Sequence, residues 1–322
     1  MEFDLIELIR QRTAQPRDDV RLGIGDDAAV LAVPAGQELA VAIDTLVDGV
    51  HFPRGTAAAD IGWKALAVNL SDLAAMGASP AWALLSLTLP QADRAFVEGF
   101  VEGFVQLAKP QRLALVGGDT TRGPLAVSVA VHGFVPPGKA LTRQGARAGD
   151  AVLVTGTLGD AAAGLHALQQ PRRDDDGRDG LRTFLIERLN RPVPRLAAGI
   201  ALREQAHACV DVSDGLLADL GHICTASGVG AEIDAALLPR SSALLGLYDD
   251  TTALQFALSG GDDYELCFCV PATRLSQVQA DLSRLGCGVS RIGRIVAGAG
   301  VRVRGHDGGW LDGGRSGWEH FA

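Results

Sequence analysis

The sequence has few lysines and lacks the Gly-x-x-x-x-Gly-Lys-Ser/Thr motif of P-loop nucleotide-binding proteins. Lysine occurs only at positions 64, 109 and 139, where it is followed by Ala65, Pro110 and Ala140. A P-loop enzyme is therefore excluded. No Gly-x-Ser-x-Gly segment surrounds a serine nucleophile either. Any phosphate chemistry must therefore depend on metal ions, backbone amides and arginines.

Long apolar runs and excess positive charge are also missing. The formal net charge is −9, which argues against nucleic acid or an anionic membrane as the main partner. The same charge disfavours direct capture of a polyphosphate unless metal ions intervene. No signal peptide opens the sequence and no 18-residue apolar run occurs, so no membrane span is expected.

Cysteine is scarce and follows no metal-binding spacing. The five cysteines are an odd number, and no Cys-x-x-Cys occurs. Cys267 and Cys269 alternate along a predicted strand and are expected to be buried as small apolar side chains. This usage indicates the reducing cytoplasm, without disulfides. A zinc site is disfavoured, because no histidine lies at ligand spacing from a cysteine.

The length of 322 residues favours two domains or one large domain. Each half mixes strands and helices, which predicts an α/β fold of mixed or α+β type. The segment Pro136-Pro137-Gly138 is a strong break, and the stretch up to Gly149 is interpreted as an interdomain connection. The predicted domains are residues 1–137 and 148–322.

Apolar periodicity and turn residues predict the individual elements. Asp60 is the predicted N-cap of the second helix, and Gly77 is its predicted stop. Residues 171–180 are dense in charge and glycine and are expected to form an exposed loop. Helices are predicted at 2–12, 60–76, 92–108, 160–168, 193–204, 214–226 and 275–285. Strands are predicted at 38–46, 113–116, 125–134, 151–155, 208–212, 264–270 and 289–295.

Aspartates recur at the ends of apolar or glycine-rich runs. Solvated carboxylates do not need such approaches, whereas carboxylates that converge on hard cations do. Six of them brought together would repel one another by roughly 3 kcal/mol per pair at ~6 Å, so such a site needs cations. Carboxylate oxygens suit Mg²⁺, which also binds substrate phosphates. The segments are Gly25-Asp26-Asp27, Ile43-Asp44-Thr45, Gly117-Gly118-Asp119-Thr120, Val210-Asp211-Val212-Ser213-Asp214 and Gly260-Gly261-Asp262-Asp263.

Asp72 lies inside an apolar helical stretch. Asn69 and Asp72 are three residues apart and therefore share a helix face. A polar stripe at a helix–helix contact is one interpretation. Metal ligation is favoured, because a buried carboxylate without a partner is costly and the other acidic turns call for the same kind of cation.

Two acidic turns follow predicted strands. In the turn after residue 116, Gly118 lets the backbone approach phosphate oxygens and Asp119 can hold a metal, although an ordinary Asx turn remains open. In the segment from Asp211, Ser213 or Asp214 can be the N-cap of the next helix. A helix N-terminus is also a phosphate site, which Asp211 would then face.

Two further residues are ambiguous by themselves. His51 follows the Asp44 turn, and a lone histidine is more often a packing or hydrogen-bonding residue than a catalyst. Trp318 lies five residues from the end of the chain and can either dock the tail or contact a ligand. The indole ring suits aromatic and cationic ligands.

The complete set of segments resembles the thiamine-monophosphate kinase family. The resemblance rests on the order of Gly23-Ile-Gly-Asp-Asp27, Asp44-Thr-Leu-Val-Asp-Gly-Val-His-Phe52, Lys64-Ala-Leu-Ala-Val-Asn-Leu-Ser-Asp-Leu-Ala-Ala-Met-Gly-Ala78, Gly117-Gly-Asp-Thr-Thr-Arg-Gly123, Asp211-Val-Ser-Asp-Gly-Leu216, Ser259-Gly-Gly-Asp-Asp-Tyr-Glu-Leu266 and Trp318-Glu-His-Phe321. Single motifs are shared with aminoimidazole ribonucleotide synthetase and selenophosphate synthetase. The second and fourth segments favour the kinase.

The resemblance implies a two-domain α/β fold like that of aminoimidazole ribonucleotide synthetase, with two N-terminal domains pairing their sheets into a barrel in a homodimer. The N-terminal domain is then the dimerisation and metal/ATP-binding domain. The implied reaction transfers the γ-phosphoryl group of ATP to thiamine monophosphate, giving thiamine diphosphate. Direct in-line transfer assisted by several Mg²⁺ ions is expected, with no covalent catalytic residue.

The resemblance also implies roles for individual residues. His51, Asp262 and Trp318 correspond to thiamine-phosphate contacts, although the family usually has Glu at the position of Asp262. Ala42 and Ile43 replace hydroxyl residues of some relatives, so only their carbonyl groups could bind metal. The implied ATP contacts are Gly118, Asp119, Arg143 and Ser213. The implied metal ligands are Asp27, Asp44, Asp72, Asp119, Asp211 and Asp214.

Three other functions are compatible with the same aspartates. An ATP-dependent synthetase of the same superfamily would phosphorylate a carbonyl or amide oxygen. A metal-dependent phosphatase would use the aspartates to activate water. A Mg²⁺/nucleotide-binding module without enzymatic activity is disfavoured by the number of acidic turns.

Overall fold

A computed structural model describes residues 2–170 and 177–311 of the chain. The chain divides into two compact units. Unit 1 comprises Met1–Leu73 and Ala78–Lys139, and unit 2 comprises Ala74–Gly77 and Ala140–Ala322. Among the described residues, no helix is both long and apolar enough to cross a bilayer.

Unit 1 combines three helices with two small sheets in its described part. Its elements in chain order are α1 (Glu2–Thr13), β1 (Val20–Leu22), β2 (Val30–Leu31), β3 (Glu38–Val47), α2 (Ala58–Ala75), β4 (Ser79–Leu89), α3 (Arg94–Ala108), β5 (Ala114–Arg122) and β6 (Ala126–Val135). Strands β1 and β2 form an antiparallel pair.

The main sheet of unit 1 has the order β3-β6-β4-β5 among the described strands. Only β4 and β5 run parallel, so the sheet is mixed. Strand β6 alternates buried and half-buried residues along its whole length. The strand order places β6, which corresponds to the strand predicted at 125–134, between β3 and β4. Strand β3 forms an edge, where Leu39, Val41 and Ile43 are exposed.

Helices α2 and α3 cross at very short distance because glycines lie at the contact. A Cβ atom at Gly62 would stand 1.9 Å from the Phe100 carbonyl oxygen, and one at Gly103 would stand 1.7 Å from that of Ala59. Any larger residue would force the helices apart. The contact holds α2, the helix of Asn69 and Asp72, in a defined position.

Unit 2 is built around a larger mixed sheet. Its elements are β7 (Ala151–Thr155), α4 (Asp160–Gln169), α5 (Asp179–Asn190), α6 (Leu196–Leu202), β8 (Ala208–Val212), α7 (Leu216–Ser227), β9 (Gly230–Asp234), α8 (Ser242–Leu247), α9 (Asp250–Ser259), β10 (Glu265–Val270), α10 (Leu275–Arg284), β11 (Val289–Val296), β12 (Gly300–Arg304) and β13 (Trp310–Leu311). Short 3₁₀ turns occur at Ala235–Leu237 and Ala272–Arg274.

The described strands of unit 2 have the order β13-β12-β9-β11-β7-β10-β8. Strands β7, β8 and β10 are buried at every residue, which explains their nearly continuous apolar sequences. Cys267 and Cys269 are fully buried in β10, as predicted, and all five cysteines are free thiols. The acidic segment at 211–215 includes the end of β8, and the segment at 259–264 leads into β10.

Several local predictions were wrong at their boundaries. Helix α2 begins at Ala58, so Asp60 lies in its first turn and is not its N-cap. Strand β4 at Ser79–Leu89 was missed, although Leu85-Ser-Leu-Thr-Leu89 alternates apolar and polar residues as a strand does. Part of the predicted 171–180 loop belongs to α5, while residues 171–176 lie outside the described part. The stop at Gly77 is confirmed by its left-handed conformation, φ 64°.

Candidate active site

Asp211 lies near the end of β8, beside the turn that leads into α7. Its side chain is buried, and in the sheet it lies opposite Leu266 of β10. The turn residues Ser213 and Asp214 are half-buried. The buried strand β8 thus carries the Asp211 carboxylate near its end, and the next polar residues lie on the turn.

Neither Ser213 nor Asp214 caps α7, contrary to the prediction. Gly215 is the N-cap and supplies no side-chain cap, whereas Asp219 of the first helical turn reaches back to the turn that precedes the helix. Asp219 Oδ2 accepts hydrogen bonds from the N–H groups of Ser213, Asp214 and Gly215, each at 3.1 Å. These amides therefore face a carboxylate of the protein, so a phosphate could use them only by displacing it.

The environment of Asp219 disfavours its charged form. Burial is the main cause, and the nearby carboxylates of Asp211 and Asp214 add repulsion, so that the pKa of Asp219 rises to about 7. The three N–H donors act in the opposite direction. Sequence reasoning missed Asp219, although an acidic residue in a first helical turn after an acidic loop was a usable signal.

The second acidic loop is joined to the first through its backbone. The N–H of Asp262 donates to the Ser213 carbonyl oxygen, and that of Tyr264 donates to the Val212 carbonyl oxygen, both at 2.8 Å. A Cβ atom at Gly261 would stand 2.6 Å from the Ser213 carbonyl oxygen. Glycine is therefore required where the two loops touch.

Asp262 and Tyr264 both have left-handed backbone conformations, with φ values of 69° and 51°. Such conformations are unfavourable for residues with a side chain and persist where the surroundings enforce them. The Tyr264 hydroxyl donates to Asp262 Oδ1 at 3.1 Å. Asp262, which was predicted to contact the substrate, is thus held by both its backbone and its side chain.

Asp263, the neighbour of Asp262, points into the protein and caps α4. Its carboxylate accepts N–H groups from Gly159 at 2.6 Å and from Ala161 at 3.3 Å. Asp263 is 2% exposed, and burial raises its pKa to about 8. Consecutive aspartates in the segment therefore have separate tasks: Asp262 stays half-buried on the loop, while Asp263 fixes the loop to α4.

Glu265 anchors the end of the same loop. Its carboxylate is fully buried and accepts hydrogen bonds from Thr155 at 2.7 Å, Arg188 at 2.9 Å and Arg195 at 2.6 Å. Sequence reasoning did not assign Glu265 a task, although a charge at the start of an apolar strand was visible. The two arginines compensate the buried carboxylate, as such groups require.

In unit 1, Asp44 and Asn69 are connected through the backbone. The N–H of Asp44 on β3 donates to Asn69 Oδ1 at 2.9 Å, and Asn69 Nδ2 donates to the Ala65 carbonyl oxygen. Asn69 is fully buried in α2, Asp72 is half-buried and Asp44 is exposed. The polar residues of α2 therefore serve partly to dock the helix on the strand that carries Asp44.

His51 has a defined structural role in the loop after β3. Its Nδ1 accepts the N–H of Val47 at 3.0 Å, so this nitrogen is not protonated. Its carbonyl oxygen accepts a hydrogen bond from the buried Lys64 at 3.1 Å. The ring is half-buried and its orientation is determined by the loop.

Gly118 and Asp119 lie within β5 beside β4. Gly118 has φ 153°, and a Cβ atom there would stand 1.9 Å from the Leu85 carbonyl oxygen. The next residue, Asp119, is exposed and lies opposite Ser86. The glycine is therefore required for strand packing, and it sets the direction in which the strand continues into Asp119.

The remaining predicted residues lie on the surface or outside the described part. Asp27 is exposed in the segment between β1 and β2, and its N–H donates to Asp26 Oδ1 at 2.9 Å. Arg143 is exposed, and its carbonyl oxygen accepts a hydrogen bond from Ser227. Trp318 lies outside the described residues.

The predicted metal ligands fall into both units. Asp27, Asp44 and Asp119 belong to unit 1, as does Asp72, whereas Asp211 belongs to unit 2 together with Asp214. Within residues 2–170 and 177–311, no three histidine, cysteine, aspartate or glutamate side chains are grouped closely enough to hold a metal ion by themselves.

A groove of about 600 Å³ lies in unit 1 between α1 and α3, away from these residues. Its lining includes Arg12, Val101 and Lys109 and contains none of the predicted site residues. The groove therefore does not mark the candidate site, which is identified by its acidic loops.

Family models match both halves of the chain. The model for AIR synthase related protein, N-terminal domain, matches residues 25–135. That for AIR synthase related protein, C-terminal domain, matches residues 147–306. These matches agree with a two-domain α/β fold of this type, with a mixed sheet in each unit.

Similar proteins have been characterised and solved. The thiamine-monophosphate kinase of Escherichia coli K12 is 51% identical over 296 residues, which are 92% of this chain and 90% of that protein. The crystal structure of thiamine-monophosphate kinase from Stenotrophomonas maltophilia K279a has a TM-score of 0.88 at 51% identity, covering 96% of this chain and 98% of its own. AaThiL complexed with AMPPCP and TMP has a TM-score of 0.78 at 33% identity, covering 99% and 97%.

Proposed function

The chain belongs to the thiamine-monophosphate kinase family, and we infer that it transfers a phosphoryl group from ATP to thiamine monophosphate. The observation that carries this conclusion is 51% identity over 92% of the chain to a thiamine-monophosphate kinase. The complex of a relative with an ATP analogue and TMP supports ATP as the co-substrate. The product is thiamine diphosphate.

We propose that several Mg²⁺ ions serve the reaction. The proposed donor set consists of carboxylates, which suit Mg²⁺ and not a softer metal: Asp27, Asp44, Asp72, Asp119, Asp211 and Asp214. Mg²⁺ is usually bound by one or two carboxylates together with water and substrate phosphates. A protein cage of three ligands is therefore not required. Bound Mg²⁺ would neutralise charge on the transferring phosphoryl group.

We propose that Gly118, Asp119, Arg143 and Ser213 are the nucleotide contacts. Gly118 brings backbone close to a ligand and is followed by the exposed Asp119. Arg143 is exposed and can pair with phosphate oxygens, and Ser213 lies on the turn anchored by Asp219. These residues bind and orient ATP in the proposal.

Thiamine monophosphate is proposed to contact His51, Asp262 and Trp318. His51 accepts a hydrogen bond at Nδ1, so the neutral ring carries its proton on Nε2, and an N–H donor of this type suits a phosphate oxygen. Asp262 is held in place by Tyr264. An indole at Trp318 suits both the pyrimidine and the cationic thiazolium of thiamine.

We propose direct in-line transfer without a phosphoenzyme. The acceptor is an anionic phosphate oxygen, so no strong general base is needed. Phosphoryl transfer depends on alignment and electrostatic stabilisation more than on a covalent catalyst. The residues of this chain would therefore align the two phosphates and exclude water.

We propose that the protein is a homodimer through unit 1, which then acts as the dimerisation and metal/ATP-binding domain. The edge strand β3 supports this proposal, because its exposed apolar side chains suit a protein contact. The predicted domains of 1–137 and 148–322 and a dimeric barrel of paired sheets remain part of the proposal. The reducing cytoplasm is the proposed location, in keeping with five buried free cysteines.

The decisive experiment is incubation with ATP, Mg²⁺ and thiamine monophosphate, followed by detection of thiamine diphosphate. Formation of stoichiometric ADP and thiamine diphosphate is expected. Release of free phosphate without thiamine monophosphate would instead indicate a phosphatase. Turnover with purine precursors alone would indicate a synthetase of the same superfamily.

A further inference from the structure

The turn between β8 and α7 presents three consecutive N–H groups to one side-chain atom. The amides of Ser213, Asp214 and Gly215 all donate to Asp219 Oδ2 at 3.1 Å. Successive N–H groups that converge in this way form a concave anion-binding arrangement. Here the acceptor is the carboxyl group of Asp219, a residue of the protein itself.

The position of Asp219 makes this arrangement stable. Asp219 lies in the first turn of α7 and is 2% exposed. A buried carboxyl group needs partners, and the three amides of this partly buried turn need an acceptor, so each satisfies the other. Gly215 has φ 122°, a conformation that an L side chain rarely adopts. The path of the turn is therefore determined by the buried Asp219 side chain and by the backbone conformation of Gly215.

The same turn is held on its other side by the backbone of the second acidic loop, residues 259–264. The carbonyl oxygens of Val212 and Ser213 accept hydrogen bonds at 2.8 Å from the N–H groups of Tyr264 and Asp262. Displacing the turn would consequently disturb both acidic loops. Asp219 is the side chain that anchors the N–H side of this connection.

We propose that Asp219 is a positioning residue for the phosphoryl-transfer site. It fixes the backbone from 213 to 215, so that Ser213 and Asp214 are presented together with Asp211 to the nucleotide and its metal. This inference rests on the proposed function of those three residues. Asp219 itself acts through the backbone and not as a ligand, because its Oδ2 is already occupied by three donors.

The geometry distinguishes an acceptor role from a charge role. All three amides use one oxygen, and asparagine retains one such oxygen in the same place. Asp219→Asn should therefore keep the turn, whereas Asp219→Leu has a similar volume and removes the acceptor. Asp219→Ala is the second variant, because it leaves room for water at the amides if the leucine variant does not fold. Asp249→Ala is the matched control, since Asp249 caps α9 in the same unit by accepting the N–H of Thr252 at 2.9 Å.

Two measurements test the proposal below the melting temperature of each variant. Hydrogen exchange of the amides 213–215 without ligand should accelerate at least tenfold in Asp219→Leu or Asp219→Ala. Calorimetric affinity for AMPPCP with Mg²⁺ should fall at least tenfold in the same variants. Asp219→Asn should stay within about threefold of the wild type in both measurements, and Asp249→Ala should change neither.

Two results would overturn the proposal. The first is nucleotide affinity within twofold of the wild type in a folded variant that lacks the acceptor. The second is an equal loss in Asp219→Asn and Asp219→Ala, because positioning through one acceptor oxygen predicts rescue by asparagine.

The proposed function is tested separately by the wild-type protein. If the wild type forms no thiamine diphosphate but binds nucleotide, the kinase assignment fails and the affinity series still decides the role of Asp219. If the wild type is active and the variants bind nucleotide normally, only the positioning role fails.

Discussion

The Tyr264 hydroxyl donates a hydrogen bond to Asp262 Oδ1 at 3.1 Å, and both residues have left-handed backbone conformations. The strained loop and the hydrogen bond together determine where the Asp262 carboxylate points. This matters because the aspartate side chain is short, so the placement of its carboxylate depends strongly on the backbone.

Tyr264→Phe should raise KM for thiamine monophosphate by about two- to tenfold and leave KM for ATP nearly unchanged. A net hydrogen bond contributes about 0.5–1.5 kcal/mol, which sets this range. Steady-state kinetics with each substrate varied in turn measure the effect. The control is Tyr248→Phe, which removes the other tyrosine hydroxyl of the chain, a donor to the Ala163 carbonyl oxygen. Equal changes in both KM values would contradict the assignment of Asp262 to the substrate.

Asp72→Asn and Asp119→Asn should each fold and lose activity by on the order of 10²-fold or more. Each variant would remove a carboxylate that is proposed to hold the Mg²⁺ ions. Losing such a fixed electrostatic element costs roughly 3 kcal/mol of transition-state stabilisation. The measurements are turnover and the Mg²⁺ concentration required for half-maximal activity. Asp93→Asn, at the N-cap of α3 in the same unit, should remain active. Near-normal turnover in both folded variants would contradict the assignment of Asp72 and Asp119 as metal ligands.

Gly118→Ala should destabilise the protein by about 3 kcal/mol or more, because its Cβ would stand 1.9 Å from the Leu85 carbonyl oxygen. Urea unfolding measures the free energy of unfolding. Gly298→Ala is the matched control: Gly298 also has a positive φ of 115°, but nothing lies within 4 Å of its Cβ position. If the two variants were equally stable, the close approach of β4 and β5 would not limit the residue at 118.

Asp263 should make stability depend on pH. Its folded pKa of about 8 exceeds the ordinary value near 4, so between these values the folded protein keeps a proton that the unfolded chain has released. The free energy of unfolding should therefore fall as the pH rises through this window, by on the order of 2–4 kcal/mol between pH 5 and pH 8 from this group.

The variant Asp263→Asn isolates that contribution. Its free energy of unfolding, measured in urea at pH 5, 6, 7 and 8, should fall less steeply than that of the wild type. Asp249→Asn is the control, because hydrogen bonds from Thr252 lower the pKa of this exposed carboxylate. The same slope in wild type and Asp263→Asn would refute the assignment.

Val41→Asp should convert the proposed homodimer into a monomer. Val41 is 58% exposed on the edge strand β3, and a charge there would be buried against the partner copy. Light scattering at micromolar concentration measures the mass of each variant. Leu285→Asp is the control, because Leu285 in unit 2 is exposed to a similar degree, 50%. This variant should not alter the assembly. A monomeric wild type would refute the dimer itself.

Much of the fold was readable from the sequence, because local patterns determine it. Strands were predicted at the positions of β7, β8 and β10, and the structure buries every residue of all three. Gly77 was predicted to end α2, and it has the left-handed conformation of such a position. Strand β4 was not predicted, although its second half, Leu85-Ser-Leu-Thr-Leu89, shows the alternation that identifies strands. The edge position of β3 could not be read either, since strand order depends on distant pairings.

The sequence by itself determined which chemistry is available: aspartates after apolar strands, and no lysine in a P-loop motif. Only the tertiary structure decided which carboxylate does what. Asp262 and Asp263 are neighbours in the chain, yet one lies on the loop and the other caps α4, 104 residues away in sequence. Ser213 does not cap α7; its own N–H and those of Asp214 and Gly215 instead donate to Asp219, a side chain of the first helical turn that reaches all three amides. Local pattern selects residue types, whereas burial and hydrogen-bond satisfaction, which need the folded chain, assign their tasks.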